Sequence, residues 1–358
     1  MTLIISISTI VATIVYCTYL LLWRRVWQSQ KTTLTQYTVG EQLSVVVAMH
    51  NEEQHATTLL NNLLAQTHKP KQIIVVLDHC TDRTNYEVQQ VAQHSDKLIT
   101  ILTNNNKQGK KHAQRLGVEY ATTQYVAVTD ADCHIPANWL GALSQSIATT
   151  QADLLIAPVT MNRQGNALFQ RLAEMEFLAL QAVSAGTALS QQATMCNGAN
   201  LAFRRSVYLQ HNAHNQYISG DDMFLLAEVK RHGGKVAYAL STDALVQTAC
   251  PPTALSYYKQ RTRWLRKASG YTDVDVKRLS MIVFCGNAAW PIALVANPII
   301  ALICLFLKTF AEALLLNATH KHWQLKINVI DIAILALVYP FNLLTISILS
   351  LFRSRKKW

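Results

Sequence analysis

Apolar positions follow two different patterns along this chain. Three long stretches are almost wholly apolar, and between the first two the period changes repeatedly. Residues 2–23, TLIISISTIVATIVYCTYLLLW, carry no charge over roughly the 20 residues a bilayer crossing needs. A second block lies between Met281 and Leu307, and a third between Val329 and Phe352. From Leu43 to Asp132, short β-branched runs alternate with runs of helical period. LSVVVAM (43–49) predicts a buried strand. The following NEEQHATTLLNNLLAQ sets Leu59, Leu60, Leu63 and Leu64 on one helical face, led in by Asn51 and two acids, and Pro70 closes the unit. QIIVVLD (72–78) predicts the second strand, a helix follows from about Asp82, and KLITIL (97–102) predicts the third strand. GKKHAQRLGVEYA reads as a helix and YVAVTD (125–130) as the fourth strand. Such alternation predicts an α/β domain around a mainly parallel sheet, with ligands at the carboxyl ends of its strands.

Composition adds a membrane setting. Of 358 residues, 50% are hydrophobic and only 15% charged, an apolar balance for a soluble domain. A cleaved signal peptide does not fit the first block, because no positive charge precedes it and its apolar run is too long. Arg24 and Arg25 follow that block directly, so the positive-inside rule places residues 24 to about 280 in the cytoplasm of an inner or plasma membrane. The terminal RSRKKW lies on the same side if the C-terminal region crosses twice, and three crossings satisfy both ends. Lys308 and Glu312 interrupt that region and Pro291, Pro298 and Pro340 break helical pattern, which leaves part of it for the interface. The expected divisions are an anchor over 1–25, a cytoplasmic domain over 40–272 and transmembrane or interfacial helices over 279–353.

The net charge of +11 suits an anionic membrane face or phosphorylated ligands. No nucleic-acid signature accompanies it, so no nucleic-acid partner is expected. Seven scattered cysteines without a CxxC pair read as reduced thiols.

Polar residues stand where the strands end: His50, Asn51 and Glu52 after the first, Asp78 at the second, Asp130 and Asp132 at the fourth. Neither GxGxxG nor a P-loop is present, which excludes the usual dinucleotide fold and ATPase chemistry. Paired aspartates before Pro136 suit a turn or a helix cap. They also suit a divalent cation carrying a diphosphate, and the convergence of three strand ends favours that reading. His134 fits a turn better than a metal ligand.

SVVVAMHNEE, QIIVVLDHCTDRT, NKQGKKHAQRLGV and TDAD, in this order, resemble the family 2 glycosyltransferases, inverting enzymes of the GT-A fold. The resemblance implies that Asp78, with Asp82 in its turn, faces the nucleobase, that Glu52 and Lys110 serve the donor, and that Asp130 and Asp132 hold Mg²⁺ or Mn²⁺. SGDDMFLL resembles the family's acidic motif, making Asp222 the catalytic base and Asp221 its neighbour. QRTRW matches the Q-x-x-R-W motif of the membrane-associated branch, which adds Gln260, Arg263 and Trp264 on the donor side and Arg261 as a further cation. CNGANLAFRR loosely resembles that branch's acceptor loop. Residues 43 to 270 carry the likeness. Each motif also has a bland reading: Asp221 and Asp222 can cap a helix, Lys110 and Lys111 can be a solvated face, and QRTRW can be an interfacial helix with snorkelling arginines. Tyr257, Tyr258 and Trp264 can stack on sugar or pack on lipid.

The likeness implies a hexosyltransferase-type enzyme moving a sugar from a nucleotide-sugar, a UDP-sugar first, to a lipid-linked or glycan acceptor at the membrane. Glycolipid, glycan or cell-envelope polysaccharide synthesis is the implied setting. A processive synthase working as an oligomer, or a noncatalytic sugar-nucleotide-binding membrane module, remain as alternatives. Retention of a base argues against the module.

Overall fold

The computed structural model describes residues 1–30, 42–95, 98–105, 108–211, 221–268 and 270–352. The terminal RSRKKW lies outside them, as does the side chain of Asp221. In chain order the first half comprises α1 (Thr2–Ser29), β1 (Leu43–Met49), α2 (Ala56–Leu64), β2 (Gln72–Asp78), α3 (Thr84–Gln93), β3 (Ile99–Asn104), α4 (Lys110–Tyr120), β4 (Tyr125–Thr129) and α5 (Trp139–Thr150). The second half comprises β5 (Leu154–Ile156), β6 (Val159–Asn162), α6 (Leu168–Leu189), β7 (Asn200–Arg204), α7 (Arg205–His211), α8 (Asp221–Arg231), β8 (Val236–Tyr238), β9 (Val246–Ala249), α9 (Ala254–Ala268), α10 (Val274–Ala296), α11 (Pro298–Trp323) and α12 (Val329–Phe352). Two compact units result. Among the described residues, one holds those of 1–30, 161–195 and 250–352, and the other holds those of 42–160 and 196–249.

The second unit is built on a seven-stranded sheet in the order β3-β2-β1-β4-β7-β5-β8. β1, β2, β3 and β4 are parallel, with Val46 opposite Ile74 and Val45 opposite Ala127. Helices cover both faces of these strands, so their β-branched runs are buried throughout rather than on alternate positions. β7 runs antiparallel between β4 and β5. Strand order reverses at β1, with β2 on one side and β4 on the other, and this is where a doubly wound sheet opens a ligand crevice. α4 lies close against the sheet because Gly117 has no side chain: a Cβ there would stand 2.5 Å from Val46 Cγ1.

The expected strand and helix alternation is present. β1 and β2 have the anticipated bounds, while β3 runs from 99 to 104 rather than 97 to 102 because Thr103 and Asn104 still pair with Leu77 and Asp78. Helix α2 starts at Ala56 rather than at the acids. Glu53 instead accepts from the Arg83 N–H at 3.0 Å, and Asp82 accepts from the Glu53 N–H at 3.1 Å.

Among the described residues of the first unit, four helices are long and apolar enough to cross a membrane: Thr2–Ser29, Val274–Ala296, Pro298–Trp323 and Val329–Leu351. The apolar block from Met281 onward is cut by Pro298 at the first turn of α11, with Asn297 as its cap accepting from the Ile299 N–H at 2.9 Å. Lys308 and Glu312 do not end that helix. Lys308 is 1% exposed and bonds Glu312 at 2.8 Å, and the Tyr16 hydroxyl donates to the same carboxylate at 2.7 Å. Charges in an apolar surround persist when they are paired in this way. At the other end of α1, Trp27 meets Trp323 edge to face at 5.0 Å and donates from Nε1 to the Ala182 carbonyl at 3.0 Å.

Candidate active site

The ends of β1 and β2 both turn through left-handed residues, Asn51 at φ 57° and His79 at φ 53°. Asn51 Oδ1 accepts from the Thr81 N–H at 2.8 Å, and the Glu52 N–H donates to Thr84 Oγ1 at 2.7 Å, so the two loops are knitted together. Asp78 is 1% exposed. Its Oδ1 accepts from Asn104 Nδ2 at 2.7 Å and His79 Nδ1 at 3.0 Å, and its Oδ2 from the Gly109 N–H at 2.8 Å. The carboxylate therefore binds the end of β3 to the start of α4, and His79 is the exposed group beside it.

Gly109 takes φ 137°, a region that L side chains rarely adopt, and turns the chain so that Lys110 opens α4. Lys110 Nζ is ion-paired with Asp130 Oδ1 at the end of β4. Asp132 accepts from the Thr248 hydroxyl at 3.1 Å. His134, expected in a turn, instead forms an isolated antiparallel bridge with Gln247 through main-chain bonds at 2.7 and 3.0 Å. Lys111, by contrast with Lys110, is buried.

The electrostatics of this corner are acidic. Burial, and after it Asp132 and Asp130, pushes Glu52 up to about 7. Burial and then Asp130 raise Asp132. Burial draws the Lys110 ammonium down, but Asp130 and, at longer range, Asp222 outweigh it and hold the group above its ordinary value. Such crowded carboxylates fit a divalent cation, which removes the mutual repulsion. Among the described residues no three His, Cys, Asp or Glu side chains form a ready metal cage. Asp130 and Asp132 would be the protein donors, with ligand and water supplying the rest.

Asp222 lies in the first turn of α8. Its Oδ1 accepts from the Met223 N–H and its Oδ2 from the Gly198 N–H, each at 2.9 Å. It therefore caps its helix and reaches the CNGAN loop together. That loop is anchored by Asn200, which is fully buried, donates to the Pro158 and Ala244 carbonyls at 2.7 Å each, and accepts from Trp139 Nε1 at 2.9 Å. Thr248 carries no signal in the linear sequence, since its partner Asp132 lies 116 positions away.

Gln260, Arg261, Arg263 and Trp264 belong to the other unit, on α9. Arg261 is 4% exposed and donates from Nε and Nη2 to Glu176 at 3.0 and 2.8 Å. Gln260 Oε1 accepts from Arg261 Nη1 at 2.7 Å, and the guanidinium lies 4.3 Å from the Trp264 ring centroid. Tyr257 also donates to Glu176, at 2.9 Å, and Tyr258 to Asn342 at 2.8 Å. Arg261 is thus a neutralised packing group rather than a free cation, whereas Arg263 is exposed.

Residues 44–211 match the family described as Glycosyl transferase family 2. The chain is 28% identical over 118 residues to Glycosyltransferase GlyG of Streptococcus pneumoniae, covering 33% of this chain and 39% of that protein. It is 22% identical over 228 residues to the poly-beta-1,6-N-acetyl-D-glucosamine synthase of Staphylococcus aureus, covering 63% of this chain and 54% of that one. The alignments thus span about two fifths and about half of these curated relatives. The mannosyltransferase PcManGT from Pyrobaculum calidifontis, solved with GDP-Man and Mn²⁺, superposes with a TM-score of 0.59 at 18% identity, over 94% of this chain and 99% of that one. Sheet order and the placement of the acidic strand ends agree with these likenesses: residues 44–211 match Glycosyl transferase family 2, and the domain has the GT-A fold.

Proposed function

We propose that the protein is a metal-dependent, inverting glycosyltransferase that moves a sugar from a nucleotide-sugar to a membrane-presented acceptor. The observation that carries this is the ion pair of Lys110, at the start of α4, with Asp130, just after β4, while the Asp222 carboxylate on α8 acts on the same ammonium at longer range. Asp130 and Asp132 would hold Mn²⁺ or Mg²⁺, as the Mn²⁺ in the PcManGT complex suggests. Bound there, the cation would offset charge on the departing diphosphate. Lys110 supplies a fixed ammonium at the same place. Asp222 takes the proton from the attacking acceptor hydroxyl, which is otherwise a poor nucleophile. A base without an enzyme nucleophile gives a single displacement, and the anomeric centre inverts.

The apolar helices support an acceptor presented at a membrane, lipid-linked or a growing glycan. The likeness to a poly-beta-1,6-N-acetyl-D-glucosamine synthase favours a second reading, a processive polymer synthase, though with half that protein's length in common. Incubating membranes with a panel of nucleotide sugars, followed by mass spectrometry of lipid extracts and polymer, tests both. One added hexose supports the first, a ladder supports the second, and no turnover with any donor defeats both.

A further inference from the structure

The end of β2 carries a histidine whose placement is unusual in three ways. His79 takes a left-handed backbone conformation, which a non-glycine residue adopts at a cost. Its Nδ1 lies 3.0 Å from Asp78 Oδ1, and its side chain is 38% exposed while Asp78 is 1% exposed. Among the described residues its Nε2 has no hydrogen-bond partner. A carboxylate only accepts, so Nδ1 is the donor in this contact. Nε2 of the neutral ring is therefore left as an outward-facing lone pair, its tautomer set by the buried aspartate.

Position gives that lone pair a target. β2 lies two strands from β4, because β1 stands between them. At the usual strand spacing this is about 10 Å. A nucleotide whose diphosphate lies by Asp130 and Lys110 extends its nucleoside across the end of β1 toward β2, along the open edge of the sheet. Asp78 already accepts from Asn104, His79 and Gly109, and its burial leaves no face for a base. His79 is the group that the base meets.

Resting on the nucleotide-donor reading, we propose that His79, and not Asp78, reads the base edge, and that its Nε2 lone pair selects a base with a ring N–H between carbonyl or amino groups. Uracil and guanine present such an N–H. Cytosine and adenine present a ring nitrogen lone pair at the same position, which faces Nε2 repulsively. His79 is then a specificity residue for the donor nucleotide.

The test is titration calorimetry of the purified full chain in detergent with UDP, GDP, CDP, ADP and inorganic pyrophosphate, all with Mn²⁺. Two variants accompany the wild type, His79→Gly and His79→Asn, because both residues tolerate the left-handed backbone and keep the loop. The wild type is expected to bind UDP or GDP at least roughly tenfold more tightly than CDP and ADP. In both variants that ratio collapses toward one, while pyrophosphate affinity is unchanged. Wild-type binding without base preference, or a preference that survives in both variants, overturns the proposal alone. If neither pyrophosphate nor any nucleotide binds, the donor reading falls and this proposal falls with it.

Discussion

Lys110, the first residue of α4, is ion-paired with Asp130, the residue that follows β4. The Lys110 ammonium thus neutralises a carboxylate that a metal ion would also use.

Replacing Lys110 by methionine is expected to affect two ligands in opposite directions. Mn²⁺ alone should bind more tightly, since Asp130 loses its competing cation. Nucleoside diphosphate should bind roughly tenfold more weakly, through loss of a charge-assisted contact. Separate titrations of metal and nucleotide show whether both signs hold.

Asp222→Asn preserves side-chain size, and its amide oxygen can still accept from Gly198 or Met223. Donor binding should survive while transfer slows by at least roughly 100-fold, the usual scale of a general base. A near-wild-type rate would place the base elsewhere.

Glu52 provides a pH signature. Its carboxyl is pushed up to about 7 by burial and by Asp132 and Asp130. The folded state therefore holds this proton more firmly than the unfolded chain does. Its contribution to stability is complete below the ordinary glutamate range and is lost as pH climbs through about 7. Metal-free protein should accordingly melt at lower temperature at pH 8 than at pH 5.5, with Glu52→Gln flattening the slope. Mn²⁺ should restore the loss at pH 8, and EDTA should abolish turnover; full activity in chelator would remove the metal from the mechanism.

Two neighbouring arginines should behave differently. Arg261→Ala strands the buried Glu176 carboxylate, a change that costs about 3–5 kcal/mol, and should appear as a large loss in denaturant stability. Arg263→Ala, at an exposed position, should leave stability within about 0.5 kcal/mol. If Arg263 serves the donor, transfer falls in that variant while the fold stays intact. Equal destabilisation of both variants would contradict the geometry of α9.

Membrane orientation is open to thiol labelling. A cysteine at Tyr120, 52% exposed on α4, should react with an impermeant maleimide only after cells are opened. A cysteine at Val295, 87% exposed beside the junction of α10 and α11, should react in intact cells. The reverse pattern would turn the catalytic domain outward and overturn the orientation that the positive-inside rule predicts from Arg24 and Arg25.

Local chemistry made much of the fold readable. β1 and β2 are short, β-branched and almost wholly buried runs, and their length, their branching and the Pro70 and polar turns that bound them favour interior strands. Acidic residues at strand ends likewise announced the corner where Asp130 and Asp132 lie. Three apolar blocks were legible, but the structure makes four apolar helices of them, because the second block is divided by Asn297 acting as a cap, which shows only in its bonds to Ile299 and Ile300.

The sequence by itself determined which segments form strands, which helices are apolar enough for a membrane, and which acidic and basic residues were available for chemistry. These depend on period, propensity and charge within a few residues. Only the tertiary structure decided that β7 inserts antiparallel beside β4, that Arg261 is committed to Glu176 85 positions away, and that Asp78 is an internal anchor with His79 as its exposed face. Those outcomes depend on which groups desolvate together, and burial is settled by packing among residues far apart in the chain.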